Sequence, residues 1–297
     1  MNKMSNLKDK DSRVKVLIAL LSVYFIWGST YLAIRIALEG FPPFLMAGVR
    51  FLVTGSGLYL FLRIRGTPNP DRSQWIGATI VGGLLLLGGN GGVVFAEQWV
   101  ASGLAALGVA TVPLWAVLFA GIWKRWPASL EWTGLLLGFT GIILLNFEGD
   151  LRASPAGAIA LIIAAICWAF GSVWSRHLSL PSGLMASAVE MIAGGALLLA
   201  ASFLTGEKMN GFPAWRSVGA LFYLMIFGSL IGFSAYTYLL RKARPALATS
   251  YAYVNPVIAV GLGVVLAGER ITMVGITAML IIIAGVVLVL FGGKRSN

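Results

Sequence analysis

Long apolar runs alternate with short polar segments along the whole chain. Ten such runs are bounded by charged residues or by Pro and Gly, at 14–38, 43–62, 74–95, 101–123, 130–147, 154–175, 183–204, 214–240, 245–267 and 271–291. A helix needs about 20 apolar residues to cross the hydrocarbon core of a bilayer. The pattern therefore predicts an all-α integral membrane protein with ten transmembrane helices.

Composition excludes a soluble globular protein. Of the 297 residues, 58% are hydrophobic and only 11% are charged, against about 45–50% and about 25% in soluble domains. Ten spans leave only short loops and tails, so no separate soluble domain is expected. The net charge of +11 is interpreted as a topology signal, because no basic segment is longer than a loop, and nucleic-acid binding is not expected.

The basic residues are unevenly distributed over the two sides of the predicted bundle. If the N-terminus is cytoplasmic, sixteen of the 22 fall in inner segments and four in outer loops. The sixteen are Lys3, Lys8, Lys10, Arg13, Lys15, Arg63, Arg65, Arg72, Lys124, Arg125, Arg176, Arg241, Lys242, Arg244, Lys294 and Arg295. This bias predicts that both termini of the multi-pass protein lie in the cytoplasm. The expected location is a bacterial cytoplasmic (inner) membrane. The first run, at 14–38, is too long for a cleaved signal peptide.

The second half of the chain repeats features of the first. Gly28-Ser29 recurs as Gly171-Ser172 at a spacing of 143, and Pro113 recurs as Pro256 at the same spacing. Each half holds five spans, and an odd number forces the second copy to enter the membrane from the opposite side. We therefore predict a basic tail at 1–13, one five-helix repeat at 14–148, an inverted repeat at 149–293 and a tail at 294–297. Inverted repeats are typical of secondary transporters whose site lies between the halves.

Three short motifs resemble those of the EamA-type transporters of the drug/metabolite transporter superfamily. They are Gly103-Leu104-Ala105-Ala106 followed by Pro113, Pro245-Ala246-Leu247-Ala248 followed by Pro256, and Gly268-Glu269-Arg270 before the last span. The resemblance implies transport of small metabolites, often export of amino acids, by alternating access. It points to amino-acid exporters, aromatic ones among them.

Several polar and helix-breaking residues lie within the spans. Glu190 and Arg50 are ionisable, which makes each a possible coupling or charge site, although neighbouring polar groups or a vestibule could also satisfy them. Their opposite depths argue against a direct pair. Asn90 lies in a glycine run that permits either close helix approach or an unwound segment. Pro113 and Pro256 are predicted to kink the fourth and ninth spans and to act in gating.

Aromatic residues deep in the spans indicate the kind of solute. Flat apolar walls with a polar edge suit a ring or a large apolar side chain. The predicted substrate-binding set is Trp27, Tyr31, Asn90, Trp115, Trp168, Tyr236, Tyr251 and Asn255. Phe25 and Phe170 are expected to add to the walls. We predict export of neutral aromatic or large apolar amino acids through a cavity lined from spans 1, 3, 4, 6, 8 and 9.

No constellation for an enzyme is found in the sequence. The sequence contains no P-loop motif. The single histidine, His177, and the single cysteine, Cys167, have no metal-ligating neighbours in the sequence, and no nucleophile is paired with a base. No catalytic residue, metal or cofactor is expected, and the predicted partners are a small-molecule substrate and membrane lipid, with no obligate protein partner. The alternatives are a carrier of drugs or other amphiphilic metabolites, a channel, a lipid-handling protein or an intramembrane enzyme.

Overall fold

The computed structural model describes residues 2–99, 105, 108–146, 155–209, 211–258 and 272–292. Within them the chain forms ten helices, in the order in which they were predicted. These are α1 (Asn2–Leu38), α2 (Pro43–Ile64), α3 (Arg72–Ala96), α4 (Gly108–Ile122), α5 (Ser129–Asn146), α6 (Pro155–Trp174), α7 (Leu184–Leu204), α8 (Trp215–Lys242), α9 (residues 245–258) and α10 (Met273–Gly292).

The predicted fold class is confirmed. Seven helices of the described residues are long and apolar enough to cross a membrane, and α4 and α5 are shorter apolar helices. The described residues contain no β-strand. Some predicted features lie outside the described residues: Gly268-Glu269-Arg270, most of the motif that begins at Gly103, the end of the ninth span and the C-terminal tail.

Repeat-equivalent helices pack against each other through glycines. A Cβ atom on Gly55 of α2 would lie 2.8 Å from the backbone nitrogen of Ile192 in α7. A Cβ atom on Gly134 of α5 would lie 2.6 Å from the carbonyl oxygen of Gly285 in α10. Small residues let helix backbones approach closely inside a membrane. Helices α2 and α7, and α5 and α10, therefore join the two repeats within one chain.

Helices α3 and α8 each contain π-helical turns at corresponding positions of the two repeats. These turns cover Gly83–Gly91 in α3 and Leu224–Phe233 in α8, and π-helical turns are frequent at functional sites. The glycine run around Asn90 stays helical, so the unwound alternative is wrong. The close-approach alternative is confirmed, because a Cβ atom on Gly88 would lie 2.9 Å from the Cβ atom of Cys167 in α6.

The ends of the bundle differ in their polar contacts. We call the end with loops 65–71, 123–128, 175–183 and 243–244 the basic end, and the other the opposite end. At the basic end Glu131 forms an ion pair with Arg244 across the repeats. At the opposite end the Glu207 carboxylate accepts hydrogen bonds from the first backbone N–H groups of α2, those of Phe44 (3.0 Å) and Leu45 (2.8 Å). Carboxylates stabilise helix N-termini in this way.

The two predicted kink prolines occupy different local structures. Pro113 follows a turn at Thr111 that interrupts α4. In α9 the interruption lies at residues 249–250, and helix 251–258 continues through Pro256. A helix tolerates a proline in its first turn better than in its interior, because proline lacks the backbone N–H that an interior residue donates. The gating role of both prolines stays a prediction.

Candidate functional site

A cavity lies between the two repeats, with about 670 Å³ not occupied by protein atoms, including its opening. Its lining comes from the six predicted helices and also from α2. The lining residues are Trp27, Thr30, Tyr31, Arg50, Phe51, Gly89, Asn90, Val93, Val109, Val112, Ala164, Ala165, Trp168, Gly228, Phe233, Tyr251 and Asn255. Apolar and aromatic walls with a few polar groups are typical of sites for small organic solutes.

Three aromatic rings form one wall of this cavity. The ring centroids of Trp27 and Trp168 are 5.5 Å apart in a T-shaped arrangement, and those of Trp27 and Tyr251 are 4.8 Å apart. The Trp27 indole N–H donates to the carbonyl oxygen of Gly228 at 3.1 Å, which fixes the ring against α8. Glycine is required opposite, because a Cβ atom on Gly232 would lie 2.5 Å from the same indole nitrogen. The wall is therefore rigid, apolar and built from both repeats.

Tyr236 lies behind this wall and does not line the cavity. Its hydroxyl accepts a hydrogen bond from the Trp168 indole N–H at 3.0 Å and shares another with the hydroxyl of Ser172 at 2.7 Å. Tyr236 therefore orients Trp168. Trp115 is half-buried against Phe119 and also lies outside the lining.

Two further aromatic predictions do not match the structure. The expectation that Phe25 forms part of the wall is wrong, since its side chain is 59% exposed on the outside of the bundle. Phe170 packs against Phe119 and Trp174 and does not line the cavity either. Helical spacing explains both, because each lies two positions from a lining residue, Trp27 or Trp168, and two positions along a helix turn a side chain by about 200°, to the opposite face.

Side-chain contacts join the helices between the aromatic wall and the basic end. The hydroxyl groups of Tyr24 in α1 and Ser250 in α9 are 2.6 Å apart. Nearer the basic end, the rings of Trp123 and His177 stack with centroids 4.5 Å apart. Both contacts cross between the repeats. The structure is therefore closed between the cavity and the basic end.

Two amides supply uncharged polar groups to the cavity. The Oδ1 atom of Asn90 is buried and accepts no hydrogen bond from the described part of the chain. With its amide oriented to suit its neighbours, Asn255 donates to the carbonyl oxygens of Tyr24 at 3.2 Å and Tyr251 at 3.1 Å. A buried amide without a partner is costly, so Asn90 offers an acceptor that a bound solute can use.

The structure separates the two ionisable residues of the spans. Arg50 lines the cavity and is 4% exposed, whereas Glu190 is 2% exposed and lies outside the lining. No ion pair joins them in the described residues, as their depths predicted. The Glu190 Oε2 atom has no hydrogen-bond partner among the described residues.

The sequence did not single out two charged residues that lie one helical turn beyond the cavity lining. Glu97 follows the lining residue Val93 by one helical turn, and Arg35 follows Tyr31 by one turn. Burial raises the pKa of the Glu97 carboxyl, and the charge of Arg35 opposes this shift. Helical spacing from the predicted site residues could have found both, since Arg35 lies four positions after Tyr31 and Glu97 lies seven positions after Asn90.

The sequence profile of the EamA-like transporter family matches both repeats, at residues 14–147 and 155–291. The chain belongs to this family. It is thus a multi-pass membrane transporter of the drug/metabolite transporter superfamily and not an enzyme. The double match is consistent with the two five-helix halves, and it supports the resemblance found in the sequence motifs.

Two known proteins similar to this chain are transporters by name. "Uncharacterized inner membrane transporter YedA" of Escherichia coli (strain K12) is 48% identical over 275 residues, covering 92% of this chain and 90% of that protein. "Uncharacterized transporter YoaV" of Bacillus subtilis (strain 168) is 24% identical and covers 96% of this chain and 99% of that protein. A solved crystal structure with 21% identity matches with a TM-score of 0.78 over 94% of this chain and 98% of that one, which shows the fold.

Proposed function

We propose that this transporter exports neutral aromatic or large apolar amino acids by alternating access through the cavity between the repeats. One observation carries this proposal: a single cavity combines an aromatic wall with polar groups that have no partner in the part of the chain that the structure describes. The wall is built from Trp27 and Trp168, and the polar groups belong to Asn90 and Arg50. A ring or branched side chain gains by covering the wall. A zwitterionic head group needs both a donor and an acceptor.

The shape of the bundle supports alternating access. The cavity lies on the side of the aromatic wall that faces the opposite end, because Tyr31 and Val93 follow Trp27 and Asn90 along helices that run toward that end. Contacts such as Tyr24 with Ser250 close the other side. With the basic end in the cytoplasm, the described state faces outward. Rocking of the repeats would then expose the cavity to the cytoplasm.

Uptake into proteoliposomes tests the proposed substrate. Purified protein should accumulate tryptophan, phenylalanine, methionine or leucine down an imposed gradient, and empty liposomes should not. A phosphorylated sugar is the negative control, because Arg50 is the only Lys or Arg that lines the cavity in the described residues. Uptake of the phosphorylated sugar or of cationic drugs, without uptake of these amino acids, would show that the proposed substrate is wrong.

We propose an inner-membrane location with both termini in the cytoplasm, from the basic bias and from the name of the Escherichia coli relative. In a Cys167→Ser background, single cysteines at Ser5 and Ser296 should react with an impermeant maleimide only after the membrane is opened. A cysteine at Phe212, which is fully exposed at the opposite end, is the matched control and should react in intact cells. Labelling of Ser5→Cys or Ser296→Cys from outside contradicts this topology.

We further propose that Glu190 carries a proton if transport is coupled to one. A carboxylate buried without a hydrogen bond to its Oε2 atom can change its protonation state as its surroundings change. Glu190→Gln should then abolish the response of uptake to an imposed pH gradient, and Glu39→Gln, in an exposed loop, should retain it. If Glu97→Gln loses the response and Glu190→Gln does not, the coupling carboxylate is Glu97, one turn beyond the lining residue Val93.

A further inference from the structure

Arg50 is a buried cation held in a fixed position in the cavity wall. Its Nε–H donates to the Ser229 hydroxyl of α8 at 2.7 Å. Its guanidinium lies 4.5 Å from the centroid of the adjacent Phe51 ring. A Cβ atom on Gly228 would lie 3.2 Å from Nη2, so the glycine leaves room beside the charged group. The position of the guanidinium is therefore set by α2 and α8 before any solute binds.

Most of the hydrogen-bonding capacity of Arg50 is unused. A guanidinium has five N–H donors, and in the described residues only the Nε–H of Arg50 has an acceptor. Its Nη1 atom is buried with no partner. A buried charge without a partner is strongly unfavourable in a membrane protein and marks a functional site. The guanidinium matches a carboxylate in shape, because it donates two parallel hydrogen bonds.

The charge of the cavity is unbalanced. No Asp or Glu occurs among the described lining residues, and Arg50 is the one charged side chain there. The acceptor available for an ammonium group is the neutral Oδ1 of Asn90. The site therefore attracts a solute carboxylate by charge, while it meets a solute ammonium only through a dipole.

We propose that Arg50 anchors the carboxylate of the substrate, and that the site accepts aryl and large apolar carboxylates whether or not they carry an amino group. This inference rests on the proposed function for the location of the site and extends its substrate class from zwitterions to organic anions. Net charge then separates the two kinds of solute in transport. A membrane potential of 100 mV would support a concentration ratio across the membrane of about 50-fold for a monovalent anion. The same potential would not change the distribution of a zwitterion, which has no net charge.

Phenylalanine and two analogues that each lack one of its charged groups test the proposal on the wild-type protein. Phenylalanine, 3-phenylpropanoate without the amine and 2-phenylethylamine without the carboxylate would compete with radiolabelled phenylalanine for uptake into proteoliposomes. We expect 3-phenylpropanoate to compete at least as well as unlabelled phenylalanine and 2-phenylethylamine to be more than tenfold weaker. Competition measures binding of the analogue to the transporter, so leak of the protonated acid through the bilayer does not affect the result. Equal competition by the amine and the acid would overturn the carboxylate anchor and leave amino-acid transport standing.

Variants of Arg50 and a transport-independent measurement complete the test. Arg50→Gln should weaken competition by 3-phenylpropanoate at least tenfold, and Arg50→Lys, which keeps the charge but not the paired donors, should lie between Arg50→Gln and wild type. In detergent, 3-phenylpropanoate should raise the Tm of the wild type and 2-phenylethylamine should not. If phenylalanine is not transported but the acid raises the Tm, the proposed amino-acid function fails and the anchor stands. If neither solute raises the Tm or competes, the anchor is wrong.

Discussion

Cross-linking α3 to α6 between the cavity and the basic end should stop transport completely. A Cβ atom on Gly171 would lie 2.8 Å from the Cβ atom of Leu84, one turn from the cavity wall toward the basic end. Disulfides join Cβ atoms about 3.5–4.5 Å apart, so Leu84→Cys with Gly171→Cys needs only a small separation of the helices. The two positions belong to different repeats. An oxidised pair would hold the basic end closed, and alternating access requires that end to open.

The cross-link can be controlled within the same protein. In a Cys167→Ser background, uptake of phenylalanine should fall to the level of empty liposomes after oxidation and return after reduction. Each single cysteine variant should be insensitive to the oxidant, and loss of maleimide labelling reports formation of the disulfide. Undiminished uptake by the fully oxidised protein would exclude alternating access between α3 and α6 and would favour a channel.

The substitution Trp168→Ala, which removes the indole, should reduce the kcat/KM of amino-acid uptake at least tenfold. Trp168 is 9% exposed, forms the cavity wall with Trp27 and is held by Tyr236. Its loss removes an aromatic contact worth about 0.5–1.5 kcal/mol beyond the buried area, and about 1.4 kcal/mol corresponds to a tenfold change. Trp168→Phe keeps a flat apolar wall but loses the donor to Tyr236, so its effect should be smaller.

A surface tryptophan provides the matched control for this variant. Trp215 is 88% exposed at the opposite end, and Trp215→Ala should transport as the wild type does. Asn90→Ala should also lose amino-acid uptake, because it removes the free acceptor in the same cavity. Wild-type uptake by both Trp168→Ala and Asn90→Ala, measured on folded protein, would contradict the assignment of this cavity as the substrate site.

Hydropathy and repeat spacing made the ten-helix fold predictable, because a span must be long and apolar wherever it meets lipid. The same reasoning predicted eight substrate-binding residues, and six of them line the cavity. Trp27, Trp168 and Asn90 were predicted because they lie deep in their spans. Sequence depth could not distinguish inward from outward directions, however. Phe25 is as deep as Trp27, yet it lies on the outside of the bundle.

The tertiary structure decided which deep residues meet, because contacts across the repeats depend on helix rotation and crossing rather than on position along a span. Sequence alone determined that Arg50 and Glu190 are charged groups within apolar helices. Only the packing of α2 against α8 placed Arg50 in the cavity, beside Ser229, and left Glu190 outside the lining. The glycines of α2, α7, α5 and α10 made this packing possible by letting backbones touch.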